Sequence, residues 1–180
     1  IPDRDRGPQL ELIGYPQKMT EYPPEALDAV RLIKAGRWAA LATAGERGPL
    51  ASMVSYAVEP GLSGLLVFIS RLAMHTRNLE SGSGASLVVS MPDHPEVLDP
   101  QTLPRVSIQA SAGPIERDDP TFPDAWGIYA DRFPAANPRL QLGDFTLFRL
   151  LIEDARYVGG FGAARTIRGE ALRVAAADLD

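Results

Sequence analysis

The sequence predicts a mainly β fold with flanking helices, an α+β arrangement built on a six-stranded antiparallel β-barrel. Three observations carry that prediction. Apolar runs rich in Val, Ile, Leu and aromatic residues recur over residues 38–115 and again over 145–158, each bounded by Gly, Pro or Ser turn clusters. Helical periodicity is confined to a few short stretches. A chain of 180 residues, 45% of them apolar, is long enough for one domain with a sizeable core.

The elements follow in order. Residues 1–24 hold Pro2, Pro8, Pro16, Pro23 and Pro24 among mixed charges, which predicts an extended or disordered arm. A helix is expected from Pro24 to Ala35: proline suits its first turn, Leu27, Val30 and Ile33 fall on one face, and Gly36 is a left-handed terminator. Strands are expected at Trp38–Thr43, Leu50–Val58 and Leu65–Ser70, joined by the turn clusters 44–49 and 59–64 as an antiparallel meander. Further strands are expected at Ala85–Met91, Arg105–Ile115 and Phe145–Val158, with the proline-rich loop 92–104 between the first two. A helix is expected at Asp124–Phe133, and another in the tail after Ala163. The domain organisation is thus an arm over 1–24, a barrel domain over 25–165 and a helical or flexible tail over 166–180.

Composition excludes several classes. With 18 Lys and Arg against 23 Asp and Glu, the net charge of −5 repels nucleic acid and anionic membrane surfaces, and no extended basic patch reverses it. No cysteine is present, so disulfides, thiolate nucleophiles and cysteine-ligated metals are excluded. With no apolar run long enough for a membrane helix and no leader pattern at the start, the expected location is the cytoplasm.

The chemistry concentrates where the strand ending at Ser70 runs into a short helix. Ser70, Arg71, His75, Thr76, Arg77 and Asn78 bring hydroxyl, guanidinium, imidazole and amide groups into nine residues. Together with the free N–H groups of a helix start, that set predicts binding of a phosphorylated ligand.

The order of motifs around this segment resembles a known family. Leu41-Ala42-Thr43, Gly48-Pro49, Ala51-Ser52-Met53-Val54-Ser55-Tyr56-Ala57 and Leu72-Ala73-Met74-His75-Thr76-Arg77-Asn78-Leu79 are similar to the FMN-binding split-barrel proteins related to pyridoxamine 5'-phosphate oxidase. Pro104-Arg105-Val106-Ser107-Ile108, Gly143-Asp144-Phe145 and Val158-Gly159-Gly160-Phe161-Gly162 resemble its haem-utilisation branch. The resemblance implies a split β-barrel and a homodimer with FMN at the subunit interface. It places Ser52, Met53, Val54 and Ser55 along the isoalloxazine ring, and Ser70, Arg71, His75, Thr76, Arg77 and Asn78 around the ribityl phosphate. The activity implied is an FMN-dependent oxidoreductase acting on a small or planar substrate; the alternative is a haem-binding module without flavin turnover. No basic C-terminal segment of the pyridoxamine 5'-phosphate oxidase kind follows Ala163, so vitamin B6 oxidation is not expected. Haem-degrading members imply a C-terminal histidine ligand, but no histidine follows His94, leaving His75, His94 or a non-histidine ligand.

Other motifs read more plainly. Asp93-His94-Pro95-Glu96 is expected to be a solvated loop, because zinc needs three or four protein ligands and no second histidine is near; no metal site is predicted. Gly159-Gly160-Phe161-Gly162 lacks the spacing of a nucleotide loop and predicts a reversal with positive φ. Trp38 and Trp126 sit at apolar-patterned positions and are expected in the core.

Overall fold

The computed structural model describes residues 21–160 and 162–180. Most of the expected N-terminal arm therefore lies outside the described residues. Of its last residues, Tyr22 is buried, and its hydroxyl donates to the Asp178 carboxylate.

The chain runs α1 (Glu25–Ala35), β1 (Trp38–Gly45), β2 (Gly48–Val58), β3 (Leu65–Ser70), α2 (Met74–Glu80), β4 (Ala85–Ser90), β5 (Arg105–Ile115), α3 (Phe122–Arg132), β6 (Phe145–Val158), β7 (Ala164–Arg168) and α4 (Gly169–Ala177). A 3₁₀ segment, Pro134–Gln141, links α3 to β6. The strand order is β3-β2-β1-β4-β5-β6-β7, and β3 also pairs with β6, so six antiparallel strands close on themselves. The predicted mainly β, six-stranded barrel is what forms.

Closure depends on the length of β6. Its residues 145–150 pair with β3 and its residues 154–158 pair with β7, while β5 follows it along the other edge. The register slips between Gln109 and Ala110, a bulge located where β6 passes from one partner to the next. Strand β7 corrects the expectation of a helix directly after Ala163. Four of its five residues are exposed and two are arginines, so only Ile167, buried against the core, carries a strand signal.

Period-two alternation in β3 explains why that strand is apolar throughout. Leu65, Val67 and Ile69 face the barrel interior with Leu41, Tyr56, Leu87, Ile108 and Phe148. Leu66 and Phe68 face outward into a second core, built from α3 and the 3₁₀ segment with Ala125, Tyr129, Ala136 and Leu147. Trp126 packs at the edge of this second core, its ring 4.9 Å from Phe68 in an edge-on contact. Helix α4 closes the interior core through Leu172, Ala175 and Ala176.

Gly36 does not end α1 in a left-handed conformation; its φ of −69° and ψ of 148° are extended. Glycine is needed there for space. A Cβ would lie 2.3 Å from the Tyr56 hydroxyl and 2.8 Å from Val89. That hydroxyl donates 2.7 Å to the Ile33 carbonyl inside the core, and burial pushes its pKa well up. Gly36→Ala is expected to break the bond and lower stability by about 2 kcal/mol. Urea midpoints of the two proteins check this; a shift worth under about 0.5 kcal/mol would mean that Tyr56 relocates freely.

The glycines that follow β6 behave as expected. Gly160 and Gly162 have φ of +143° and +80°, the positive φ expected of these two glycines.

Candidate functional site

The outer corner between β1, β2, β3 and α2 holds a cavity of about 220 Å³. β1 and β2 contribute Trp38, Met53, Val54 and Ser55; β3 contributes Phe68, Ile69 and Ser70; α2 and the turn before it contribute Ala73 and His75. Tyr129, Arg139 and Phe145 complete the wall from α3, the 3₁₀ segment and β6. The pairing register puts Trp38 opposite Ser55 and Ala40 opposite Met53, so these side chains share the outward face of the hairpin. Trp38 is 58% exposed and Met53 47%, which corrects the expectation of a core tryptophan at position 38. Every residue of β1 is apolar, small or Thr, so alternation in that strand does not tell its inward face from its outward one.

Five of the ten residues expected to bind a cofactor meet here: Met53, Val54, Ser55, Ser70 and His75. The others lie apart. Ser52 stands on β2 paired with Leu41, on the opposite face from Met53. Arg71 lines a neighbouring cavity of about 330 Å³, separated from the first by Phe68 and Phe145, which line both and whose ring centroids are 5.1 Å apart. Arg77 and Asn78 line a third, of about 560 Å³, formed with the β1–β2 turn around Glu46 and Arg47. Thr76 is fully buried.

Most of these groups already have partners. The Arg71 guanidinium donates 2.6 Å to Thr146 Oγ1 and lies 3.3 Å from a Glu116 oxygen and 3.7 Å from Glu80. Ser70 Oγ donates 2.8 Å to the Asp144 carboxylate, and the Arg71 N–H donates to the Asp144 carbonyl. Thr76 Oγ1 donates 2.6 Å to the Ser70 carbonyl. Asn78 donates 3.0 Å to Thr43 Oγ1, under Gly45, where a Cβ would sit 2.3 Å from the Asn78 amide oxygen. These bonds tie α2 to the strands beneath it. They also set three carboxylates against the segment from which a phosphate was expected to draw its donors.

His75 is different. Its Nε2 is buried and has no hydrogen-bond partner among the described residues. Desolvation holds the imidazole pKa below its ordinary value near 6.5, so the ring is neutral at pH 7. The unfolded chain therefore binds the extra proton first as pH falls, and the contribution of His75 to stability is lost on going below the unfolded value. His75→Gln is expected to flatten the decline in stability between about pH 7 and pH 5. Urea unfolding at several pH values checks it, and an unchanged slope would mean that another group governs that range.

Among the described residues, no set of three or more His, Cys, Asp or Glu is placed to hold a metal ion. His94 is in an exposed loop, with Nδ1 2.8 Å from Glu96. No helix among the described residues is long and apolar enough to cross a membrane.

Comparison with known proteins places this architecture. The family described as CREG, beta-barrel matches residues 21–172. The chain belongs to the CREG β-barrel family. Among members and relatives of this CREG-type barrel, heme oxygenase HutZ of Vibrio cholerae is 34% identical over 110 residues, covering 61% of this chain and 62% of that protein. The structure of a heme binding protein from Mycobacterium smegmatis superposes with a TM-score of 0.74 at 29% identity, covering 84% of this chain and 60% of that one. The chain thus spans under two thirds of the length of either relative. A Clostridium acetobutylicum protein of the pyridoxinephosphate oxidase family shares the fold at 14% identity, TM-score 0.58, over 82% of this chain and 96% of its own. The resemblance to the split-barrel proteins, and to their haem-utilisation branch, is borne out for this CREG-type chain.

Of the residues around the cavity, sequence reasoning missed Phe68, Tyr129, Arg139 and Phe145 as lining. Phe68 and Phe145 were placed in strands, but their orientation is decided by pairing with β6 and by the second core. Arg139 lies in a proline-rich connection with no periodic pattern to mark it.

Proposed function

We propose that this chain binds haem, holding the macrocycle in the outward groove between Trp38 and Met53 on one side and Phe68 and Phe145 on the other. The observation that carries the reading is the groove's lining. It is rich in aromatic side chains, with Ser55, Ser70, His75 and Tyr129 adding polar groups, carries one arginine and no Asp or Glu, and opens on an exposed sheet face. That suits a large planar ligand with acidic edge groups better than a flavin whose dianionic phosphate requires several free cations. Its kinship with heme oxygenase HutZ and with a heme binding protein supports the same ligand.

The donor set fits such a group. Trp38, Met53, Phe68 and Phe145 shed water on binding, Arg139 lines the cavity, and His75 offers a neutral imidazole with an unpartnered ring nitrogen. Bound haem would bring an iron centre whose reactivity follows its axial ligand and the polarity around it. The chain's own residues would orient the ring and exclude solvent from one face.

A cavity of about 220 Å³ is smaller than the roughly 300–1,000 Å³ of sites that enclose a ligand of this size. We therefore take the groove to be completed by a second copy seated on the exposed Trp38–Met53 face, giving a homodimer with two interfacial sites. The FMN oxidoreductase reading keeps Met53, Val54, Ser55, Ser70 and His75 at the same groove, and it requires the Arg71 ion pairs to open.

The test is a visible spectrum after incubation with haem or, separately, with FMN, followed by desalting. Retention of a Soret band without flavin is the expected result. A retained flavin band that bleaches anaerobically with a nicotinamide donor, with no Soret band, would reverse the order of the two readings.

A further inference from the structure

We infer that Arg139 is the residue that fixes the acidic edge of the ligand in this groove, by pairing with a ring carboxylate. The inference rests on the haem reading above and specifies which side chain sets the ligand's orientation.

Arg139 is the only permanently charged side chain in the cavity lining, which contains no Asp or Glu. Its guanidinium lies over the Phe145 ring, 5.9 Å from the centroid, so the aromatic wall holds it by cation–π attraction without using its N–H donors. Among the described residues it has neither a carboxylate partner nor a side-chain hydrogen bond. The nearby arginines differ. Arg71 is engaged by Thr146, Glu116 and Glu80 and lies behind Phe68 and Phe145. Arg77 opens into the cavity beside the β1–β2 turn. In a chain of net charge −5, the unpaired guanidinium lining this groove is where an anionic edge gains most. A planar fork matches a carboxylate through two parallel N–H donors.

The position also suits a residue that selects orientation. The segment Pro134–Gln141 reaches the groove from outside the barrel, packed on the second core through Ala136 and Leu140. Trp38 and Met53 stand on β1 and β2 while Arg139 lies over Phe145 of β6, across β3, so the two edges of an amphiphilic macrocycle are not interchangeable in the groove.

The test compares haem with its dimethyl ester, which has the same ring and iron but no carboxylates, by visible titration of the intact chain. Arg139→Gln is expected to weaken haem binding by about tenfold and leave the ester's affinity unchanged, with Arg139→Lys recovering part of the loss. Arg139 is exposed, so the fold does not depend on it. If haem affinity is the same in wild type and Arg139→Gln, or if haem and ester weaken equally, the carboxylate pairing is wrong while the haem reading stands. If wild type takes up neither compound, the haem reading fails and the inference fails with it.

Discussion

Arg149→Ala is expected to lower the unfolding free energy by about 3 kcal/mol, the largest stability loss from any single surface-reaching side chain in this barrel. Arg149 stands on β6 opposite Leu66 of β3, at the seam where the barrel closes. Its Nε lies 3.0 Å from both oxygens of Glu59 and its Nη2 2.9 Å from one of them, a multidentate pair. Glu59 is only 6% exposed and sits in the connection between β2 and β3. Gly64 makes room for it, since a Cβ there would lie 2.4 Å from the carboxylate. Truncating the arginine leaves a buried carboxylate without its counter-charge, which costs more than the pair itself contributes. The Arg149 side chain keeps 29% of its exposure, so water offsets part of the penalty and the estimate sits at the lower end of the buried range. A Glu59→Gln, Arg149→Met double variant should recover most of the loss. Urea denaturation of the three proteins decides it: a loss under about 1 kcal/mol for Arg149→Ala would mean that the pair is solvated and does not hold the seam.

Met53→Glu is expected to abolish haem retention through desalting, an effect of well over tenfold in affinity, and to leave stability within about 0.5 kcal/mol of wild type. The split between the two readouts follows from position. Met53 is half-exposed on the outward face of β2, so a carboxylate there stays hydrated in the free chain. In the proposed complex it would be pressed against the macrocycle and a second copy, both of which remove its water without supplying a cation. Sedimentation should show the variant as a monomer at concentrations where the proposed wild-type dimer forms. A variant that still retains the Soret band would move the ligand away from this groove. Retained haem in a monomeric variant would instead separate the ligand site from the dimer contact.

Much of the fold could be read in the sequence because its signals are local. The apolar runs at Leu65–Ser70, Arg105–Ile115 and Phe145–Val158 coincide with β3, β5 and β6, since each is bounded by turn residues and carries β-branched and aromatic side chains. Strand β7 escaped because it has one buried residue, Ile167, and takes its hydrogen bonds from the last residues of β6, a partner that its own sequence does not reveal. At Gly36 glycine was recognised but not its cause: a long-range approach of Tyr56 and Val89, rather than a left-handed turn.

The candidate site divides in the same way. Sequence order alone brought Ser70, Arg71, His75, Thr76, Arg77 and Asn78 within nine residues, and composition alone gave them donor groups. Side-chain direction then distributes them. On a helix, neighbours point about 100° apart, so His75 turns to the groove, Arg77 to the β1–β2 turn and Thr76 into the interior. What the sequence by itself determined is the barrel, the limits of β3, β5 and β6 and the kinship with haem-utilisation split barrels, all of which follow from local patterning and motif order. Only the tertiary structure decided that Arg71 is committed to Glu116 and Thr146, that Trp38 faces outward, and that Arg139, 68 residues along the chain from Arg71, is the cation left facing the groove. The reason is physical: pairing partners of a charge, and the face a strand turns to solvent, depend on residues brought together by closure of β6 onto β3.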